Sequence, residues 1–221
     1  MPRPAAGAEA PVIYMLAGVN GAGKSSIGGA QLRHQKLDYF NPDEAAQRIR
    51  ERIGCSMEEA NSIAWHEGKR MLEDAIASLS NYAFESTLGG STIPRLLAEA
   101  ADSGFAVLVW FVGLSSADQH VQRVRARVAA GGHDIPEETI RERWDTSRRN
   151  LIALLPSLSE LRLFDNSRDG DPAAGTIPEP ILVLHWRNGR IVSPPAEDLE
   201  MTPEWAKPIV ARALQLQRLP K

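Results

Sequence analysis

The run Gly18-Val-Asn-Gly-Ala-Gly-Lys-Ser25 constrains this chain more than any other stretch, because it fills every fixed position of G-x-x-x-x-G-K-[ST]. Chance would match those four positions in about one chain in a hundred of this length. The physics behind the letters is specific. Glycines let the backbone curl until successive N–H groups point at one anion. Lys24 reaches the β- and γ-phosphates, and the Ser25 hydroxyl ligates Mg²⁺. The run follows the apolar segment Val12–Ala17 and precedes a helical pattern over about Lys24–Gln35, the strand-to-helix setting the motif needs. Gly18, Asn20, Gly21, Ala22, Gly23, Lys24, Ser25 and Ser26 are therefore expected to bind ATP, with Mg²⁺ at Ser25. The plain alternative is a glycine turn capping an ordinary helix.

Composition narrows the setting. The 221 residues are 43% hydrophobic and 24% charged, which suits one globular domain able to bury its own core. A net charge of −3 gives no bulk attraction to nucleic acid or membrane. The single cysteine, Cys55, excludes an internal disulfide and offers no zinc cluster. The longest apolar run, Phe105–Leu114, is too short to span a bilayer. The first residues hold no long apolar segment, so no signal peptide is expected, and a cytoplasmic location fits ATP chemistry and a free thiol.

Apolar runs alternate with helical patterns, which argues an α/β fold with a parallel sheet. Five strands are expected: Val12–Ala17, Asp38–Phe40, Tyr82–Ser86, a fully buried Phe105–Leu114, and Glu160–Asp165. Helices are expected after Asn41, with Asn41 as cap and Pro42 at the first position, then over Met57–Leu79, Thr92–Ala101 and Ser116–Ala129, and from Pro136 onward. Ile181–Val192 reads as a hairpin turning on Asn188-Gly189, and Thr202–Leu219 as a last helix capped by Thr202, with Pro203 first and a kink at Pro208. The chain thus divides into a disordered tail (1–10), a core (11–168) with a lid at about 127–143, and a C-terminal hairpin-and-helix extension (169–221).

Several side chains then have chemistry to do. Asp43 sits just after the second strand, at the sheet edge where open α/β folds bind ligands, and is placed to accept the proton of an attacking hydroxyl. Its alternative role is to favour a helix N-terminus. Glu85, with Ser86 and Thr87 beside it, ends a strand and can hold Mg²⁺ through water or accept a hydrogen bond from a substrate hydroxyl, the plain alternative being a partly exposed loop acid. Between Ser116 and Asn150 lie seven arginines and six acids. Most read as solvated, paired helix faces, but the two helices flank Gly131-Gly132, as a small-kinase lid requires. Arg127 is the first choice to close on transferring phosphates and Arg143 the next, with Arg141 hard to separate from it. His133 in the same loop reads as a polar substrate contact. Trp65, Trp110 and Trp144 read as core, and His66 carries no functional expectation.

Gly18-Val-Asn-Gly-Ala-Gly-Lys-Ser-Ser26, Phe40-Asn-Pro-Asp-Glu44, Phe84-Glu-Ser-Thr-Leu88, Arg127-Val-Ala-Ala-Gly-Gly-His-Asp-Ile-Pro136 and Leu163-Phe-Asp-Asn-Ser167 together resemble the zeta toxin family of P-loop kinases, in its short bacterial zeta-toxin-domain or predicted ATPase branch. They occur in the family's order and span about residues 11–168. The resemblance implies a nucleoside-kinase-like P-loop fold: a parallel five-stranded sheet flanked by helices, with a small C-terminal extension. It implies transfer of the γ-phosphate of ATP to a sugar hydroxyl. In the best-known members the acceptor is UDP-N-acetylglucosamine, its loss starves wall synthesis, and an antitoxin protein blocks the ATP site. Asp43 matches the family's proton acceptor, Lys24 and Ser25 its phosphate and Mg²⁺ groups, Glu85 a substrate-side acid, and Arg127 one lid arginine. Wall-targeting members carry a second arginine just before the lid proline. Here His133 occupies that neighbourhood, so Arg143 or Arg141 takes the part.

The leading expectation is therefore a small-molecule kinase acting on a hydroxyl. A nucleotide switch or transport ATPase is the first alternative, but the chain lacks a Leu-Ser-Gly-Gly-Gln run and a strand ending in Asp-Glu. A nucleic-acid end kinase is the second, and the balanced charge argues against a long phosphate-tracking groove.

Overall fold

A computed structural model describes residues 9–24, 39–168 and 179–219. Residues 1–8 of the expected tail, the helix after Lys24, Asp38 and most of the 167–180 loop lie outside the described residues. One sheet organises the rest, in the order β2-β3-β1-β4-β5-β6-β7. The strands are β1 (Val12–Ala17), β2 (Tyr39–Phe40), β3 (Tyr82–Ser86), β4 (Ala106–Gly113), β5 (Glu160–Asp165), β6 (Ile181–Arg187) and β7 (Arg190–Ser193). The first five are parallel, as the alternating pattern predicts.

A five-stranded parallel sheet is nevertheless the wrong count. The hairpin β6–β7 docks antiparallel on β5 and makes the sheet seven-stranded and mixed. Its turn behaves as its sequence dictates, with Asn188 and Gly189 both at positive φ (49° and 81°), the twist a two-residue hairpin prefers. Docking covers the outer edge of β5, whose backbone N–H and C=O groups would otherwise stand open.

The helices are α1 (Pro42–Ile53), α2 (Met57–Ser78), α3 (Thr92–Asp102), α4 (Ala117–Ala129), α5 (Glu137–Leu154) and α6 (Lys207–Arg218). Asn41 caps α1 as expected, its side-chain oxygen accepting from the N–H groups of Asp43 (2.9 Å) and Glu44 (3.4 Å). Ser56 and Glu59 form a reciprocal capping box at the start of α2. The last helix departs from expectation. Thr202 donates its hydroxyl to the Leu199 carbonyl instead of capping, a turn follows, and α6 begins at Lys207. Pro208 then falls in the first turn, where its missing N–H costs nothing, so no kink arises.

The main core lies on one face of the sheet. Leu72 and Ile76 of α2, Leu96 and Leu97 of α3, and Leu151 of α5 pack there on Ile13, Met15, Val107, Val109 and Phe111. Trp205, Ile209, Val210 and Ala213 are buried in the same cluster, so the C-terminal segment is part of this core. β4 is central, but burial alternates along its first half, leaving Leu108 and Trp110 half-buried. Among the described residues no helix is long and apolar enough to cross a membrane.

Candidate active site

Parallel register puts the ends of four strands at one edge. Ala17 pairs with Ser86 and with Phe111, and Gly113 pairs with Asp165. The loops that leave those ends, together with Asn41–Asp43 after β2, build the site at the carboxyl edge of the sheet.

The phosphate loop departs from β1 with Gly18, Gly21 and Gly23 at φ of 145°, 81° and 86°. A Cβ on Gly18 would stand 2.4 Å from the Val112 carbonyl oxygen, and one on Gly23 would stand 2.5 Å from Asn166 Nδ2. The loop is pinned from three sides. His120 Nδ1 lies 2.9 Å from the Asn20 carbonyl oxygen. Arg143 Nη1 donates to Asn20 Oδ1 (2.8 Å), and Asn166 Nδ2 donates to the Ala22 carbonyl (2.8 Å). His120 is 1% exposed, and burial, helped by the cations Lys24, Arg123 and Arg148, lowers its pKa from 6.5 to about 4 against the opposing pull of its hydrogen bond to Asn20. The ring is therefore neutral at pH 7 and gives its Nδ1 proton to the loop.

Lys24 Nζ donates to the Gly18 carbonyl (2.9 Å), folded back over the loop where an anion would lie. Curled glycines, pinned carbonyls and a lysine turned inward fit a triphosphate. Ser25 and Ser26, expected at Mg²⁺ and phosphate, lie outside the described residues. Among the described residues no cluster of three or more His, Cys, Asp or Glu could hold a metal of its own.

Beside the loop opens a cavity of about 370 Å³. Asn20, Lys24, Asp43, Glu85, Ser86, Thr87 and Arg143, all expected site residues, line it together. Glu85 comes from β3 and is buried, whereas the Asp43 side chain is 44% exposed. The Arg143 guanidinium is pulled below its ordinary pKa by burial, against the opposing field of Asp43. The loop after β3 is held by α5: Ser147 Oγ donates to the Thr87 carbonyl, and Asn150 Nδ2 to the carbonyls of Leu88 (2.7 Å) and Gly90 (3.1 Å).

Three of the expected catalytic and substrate residues stand outside that lining. Arg127 donates from Nη2 to the His133 carbonyl (3.0 Å) and lies 3.5 Å from His133 Nε2. The same Nε2 is 4.0 Å from Asp43 Oδ1. Arg127 and His133 thus stand behind Asp43. Arg141 is exposed and bound to Asp118 (2.6 Å) and Glu137 (2.7 Å), tying the two lid helices together.

The structure also adds residues that the sequence reading missed. Asn61, Ser62, Trp65 and Lys69 of α2 line the same cavity. Trp65 is 44% exposed, so its expected place in the core is corrected. The signal was present: Asn61, Trp65 and Lys69 recur every four residues on one helical stripe, and a tryptophan within a polar stripe invites a ligand face. Trp110 packs edge-on to Phe164, and Trp144 lies under the Arg148 guanidinium at 3.4 Å. Asn166, in a stretch already singled out, had been given no role.

No family model matches the chain. A curated protein of Haemophilus influenzae, itself uncharacterized, is 27% identical over 127 residues, covering 58% of this chain and 88% of its own length. Among solved structures, the AvrRxo1-ORF1:ORF2 complex with ATP superposes with a TM-score of 0.66 at 18% identity over 88% of this chain, which spans only 64% of the length of that one. A putative kinase from Chloroflexus aurantiacus gives 0.50 at 17% identity, over 61% of this chain and 80% of its own. The likeness is one of fold, and the PezAT toxin–antitoxin system of Streptococcus pneumoniae shares it over 96% of this chain and 89% of its own, with a TM-score of 0.52 at 14% identity.

Proposed function

We propose that this protein is an ATP-dependent kinase that transfers the γ-phosphate to a hydroxyl of a small molecule bound in the cavity beside the phosphate loop. One observation carries the reading. Lys24, Asp43 and Arg143 line the same cavity, so a phosphate donor, a proton acceptor and a cation for developing charge share one space. A 370 Å³ volume suits a small acceptor better than a polymer track. Phosphoryl transfer depends mainly on positioning and electrostatics, which these groups supply.

ATP with Mg²⁺ supplies the transferable phosphoryl group. Lys24 leaves the Gly18 carbonyl for the phosphate oxygens, and Arg143 faces the charge that develops between donor and acceptor. Asp43 holds the acceptor hydroxyl and takes its proton as the new oxygen–phosphorus bond forms and the β–γ bridge breaks, leaving ADP. Glu85 and Thr87 orient the acceptor. Arg127 steadies His133 behind Asp43.

Two structural relatives are described as a toxin–antitoxin system and as a complex with a second open reading frame product. On that likeness we extend the proposal to a cytoplasmic toxin restrained by an antitoxin protein, with a nucleotide sugar such as UDP-N-acetylglucosamine as the first acceptor to try.

The test is incubation with Mg-ATP and a bacterial metabolite extract, followed by mass spectrometry, with nucleotide sugars, aminoglycosides and short RNAs run separately. A new phosphorylated small molecule is expected. Asp43→Asn should form it about 10²- to 10⁴-fold more slowly while binding ATP as before. ATP hydrolysis with no phosphorylated product from any of these would favour a nucleotide switch, and near-normal turnover by Asp43→Asn would remove its role.

A further inference from the structure

The C-terminal segment packs into the main core, yet one of its residues also connects to the phosphate loop. Trp205, 4% exposed in the turn before α6, lies over the end of β4. Its ring stacks on Phe111 with centroids 6.4 Å apart. It fits only because position 113 is glycine, since a Cβ there would stand 2.3 Å from the indole. The indole Nε1 then donates to Asp165 Oδ1 at 3.2 Å. Ser167 donates to that same oxygen from its backbone N–H (3.2 Å) and from its hydroxyl. Three donors on one oxygen set the turn that carries Asn166. That turn is closed from the other side by the Asn166 N–H, which donates to the Gly113 carbonyl (3.0 Å). Asn166 in turn donates through Nδ2 to the Ala22 carbonyl and stands where a Cβ on Gly23 would lie.

We propose that the C-terminal segment is a strut for the nucleotide loop: Trp205, through Asp165, fixes Asn166, and Asn166 holds the Ala22–Gly23 turn in the shape that receives phosphate. The physical need is clear. A loop that binds an anion with backbone N–H groups must keep its carbonyls turned away, and Ala22 is the residue before the second fixed glycine. A side-chain amide bonded to that carbonyl prepays part of the ordering that phosphate binding would otherwise demand. Trp205 and Asp165 touch neither donor nor acceptor, so they are positioning residues. Their influence should appear in ATP affinity, whatever the acceptor is. The inference rests on the kinase reading only in taking ATP as the ligand of the loop.

The test is a double-mutant cycle read in ATP affinity, measured by calorimetry on the full chain, with thermal unfolding measured on every variant. Trp205→Phe keeps the stacked ring and removes the N–H donor. Asn166→Ala removes the contact with the loop. Each should weaken ATP binding, Trp205→Phe by about fivefold, the worth of one such hydrogen bond. The double variant should bind no more weakly than Asn166→Ala alone, because both changes break one chain of contacts. If Trp205→Phe fails to fold, Asp165→Ala takes its place in the cycle. Fully additive losses, or a lowered melting temperature with ATP affinity unchanged, would overturn the strut. A wild-type protein that binds no ATP would overturn the kinase reading, and the strut with it.

Discussion

Replacing His120 by asparagine should flatten the acid limb of the stability profile by an amount the structure allows to be worked out. In the folded protein His120 is neutral, with a pKa of about 4 against 6.5 for the free side chain. A depressed histidine binds its proton more readily once the chain unfolds, so stability rises with pH across the window between the two values. Above pH 6.5 both states are neutral and the group contributes no slope. On acidification the unfolded chain takes up the proton first. The folded protein then loses about 1 kcal/mol by pH 5.5 and about 2 to 3 kcal/mol by pH 4.5, levelling off below pH 4. His120 is all but fully buried, so no discount for solvent screening is due. The asparagine amide can still donate to the Asn20 carbonyl. Any packing loss it causes is a constant offset that leaves the slope untouched. The assay is urea unfolding of both proteins at pH 7.0, 5.5 and 4.5, taking the difference between their curves so that the shared carboxylates cancel. Parallel curves across that range would refute the placement of a neutral His120 beneath the loop.

Arg143→Ala should slow transfer by about 10²-fold or more, since it removes a cation that lines the cavity and holds Asn20. Arg141→Ala should leave turnover within about twofold, because its partners are exposed carboxylates outside the cavity; equal losses in the two variants would contradict this division. Gly23→Ala should lower ATP affinity and cost more than about 1 kcal/mol in urea unfolding, because φ is 86° and the new methyl meets Asn166. Unchanged affinity and stability would show that the loop does not adopt this turn.

What could be read in the sequence follows from how local each interaction is. The phosphate loop, the Asn41 cap and the Asn188-Gly189 turn are each made by neighbouring residues, and each was legible. The docking of β6 on β5 was not, because the hairpin encodes its own turn and not the edge it joins. The start of α6 slipped for a related reason. Thr202 offers a good capping side chain, but its hydroxyl finds the Leu199 carbonyl, and tertiary packing of Trp205 sets the turn that follows. The lid arginines were ranked by closeness to the glycine pair, which favoured Arg127. In the structure helical phase turns Arg127 to the His133 carbonyl, and long reach brings Arg143 across to Asn20. The same distinction separates the phosphate loop from the rest of the cavity. A phosphate is bound by the backbone of contiguous residues, so its site must appear as a motif. The cavity wall is assembled from side chains of α1, α2, β3 and α5 that share no spacing along the chain. Only folding brings Asp43, Trp65, Glu85 and Arg143 around one space, and in the proposed reaction the acceptor would have to match that combination of carboxylates, indole and guanidinium.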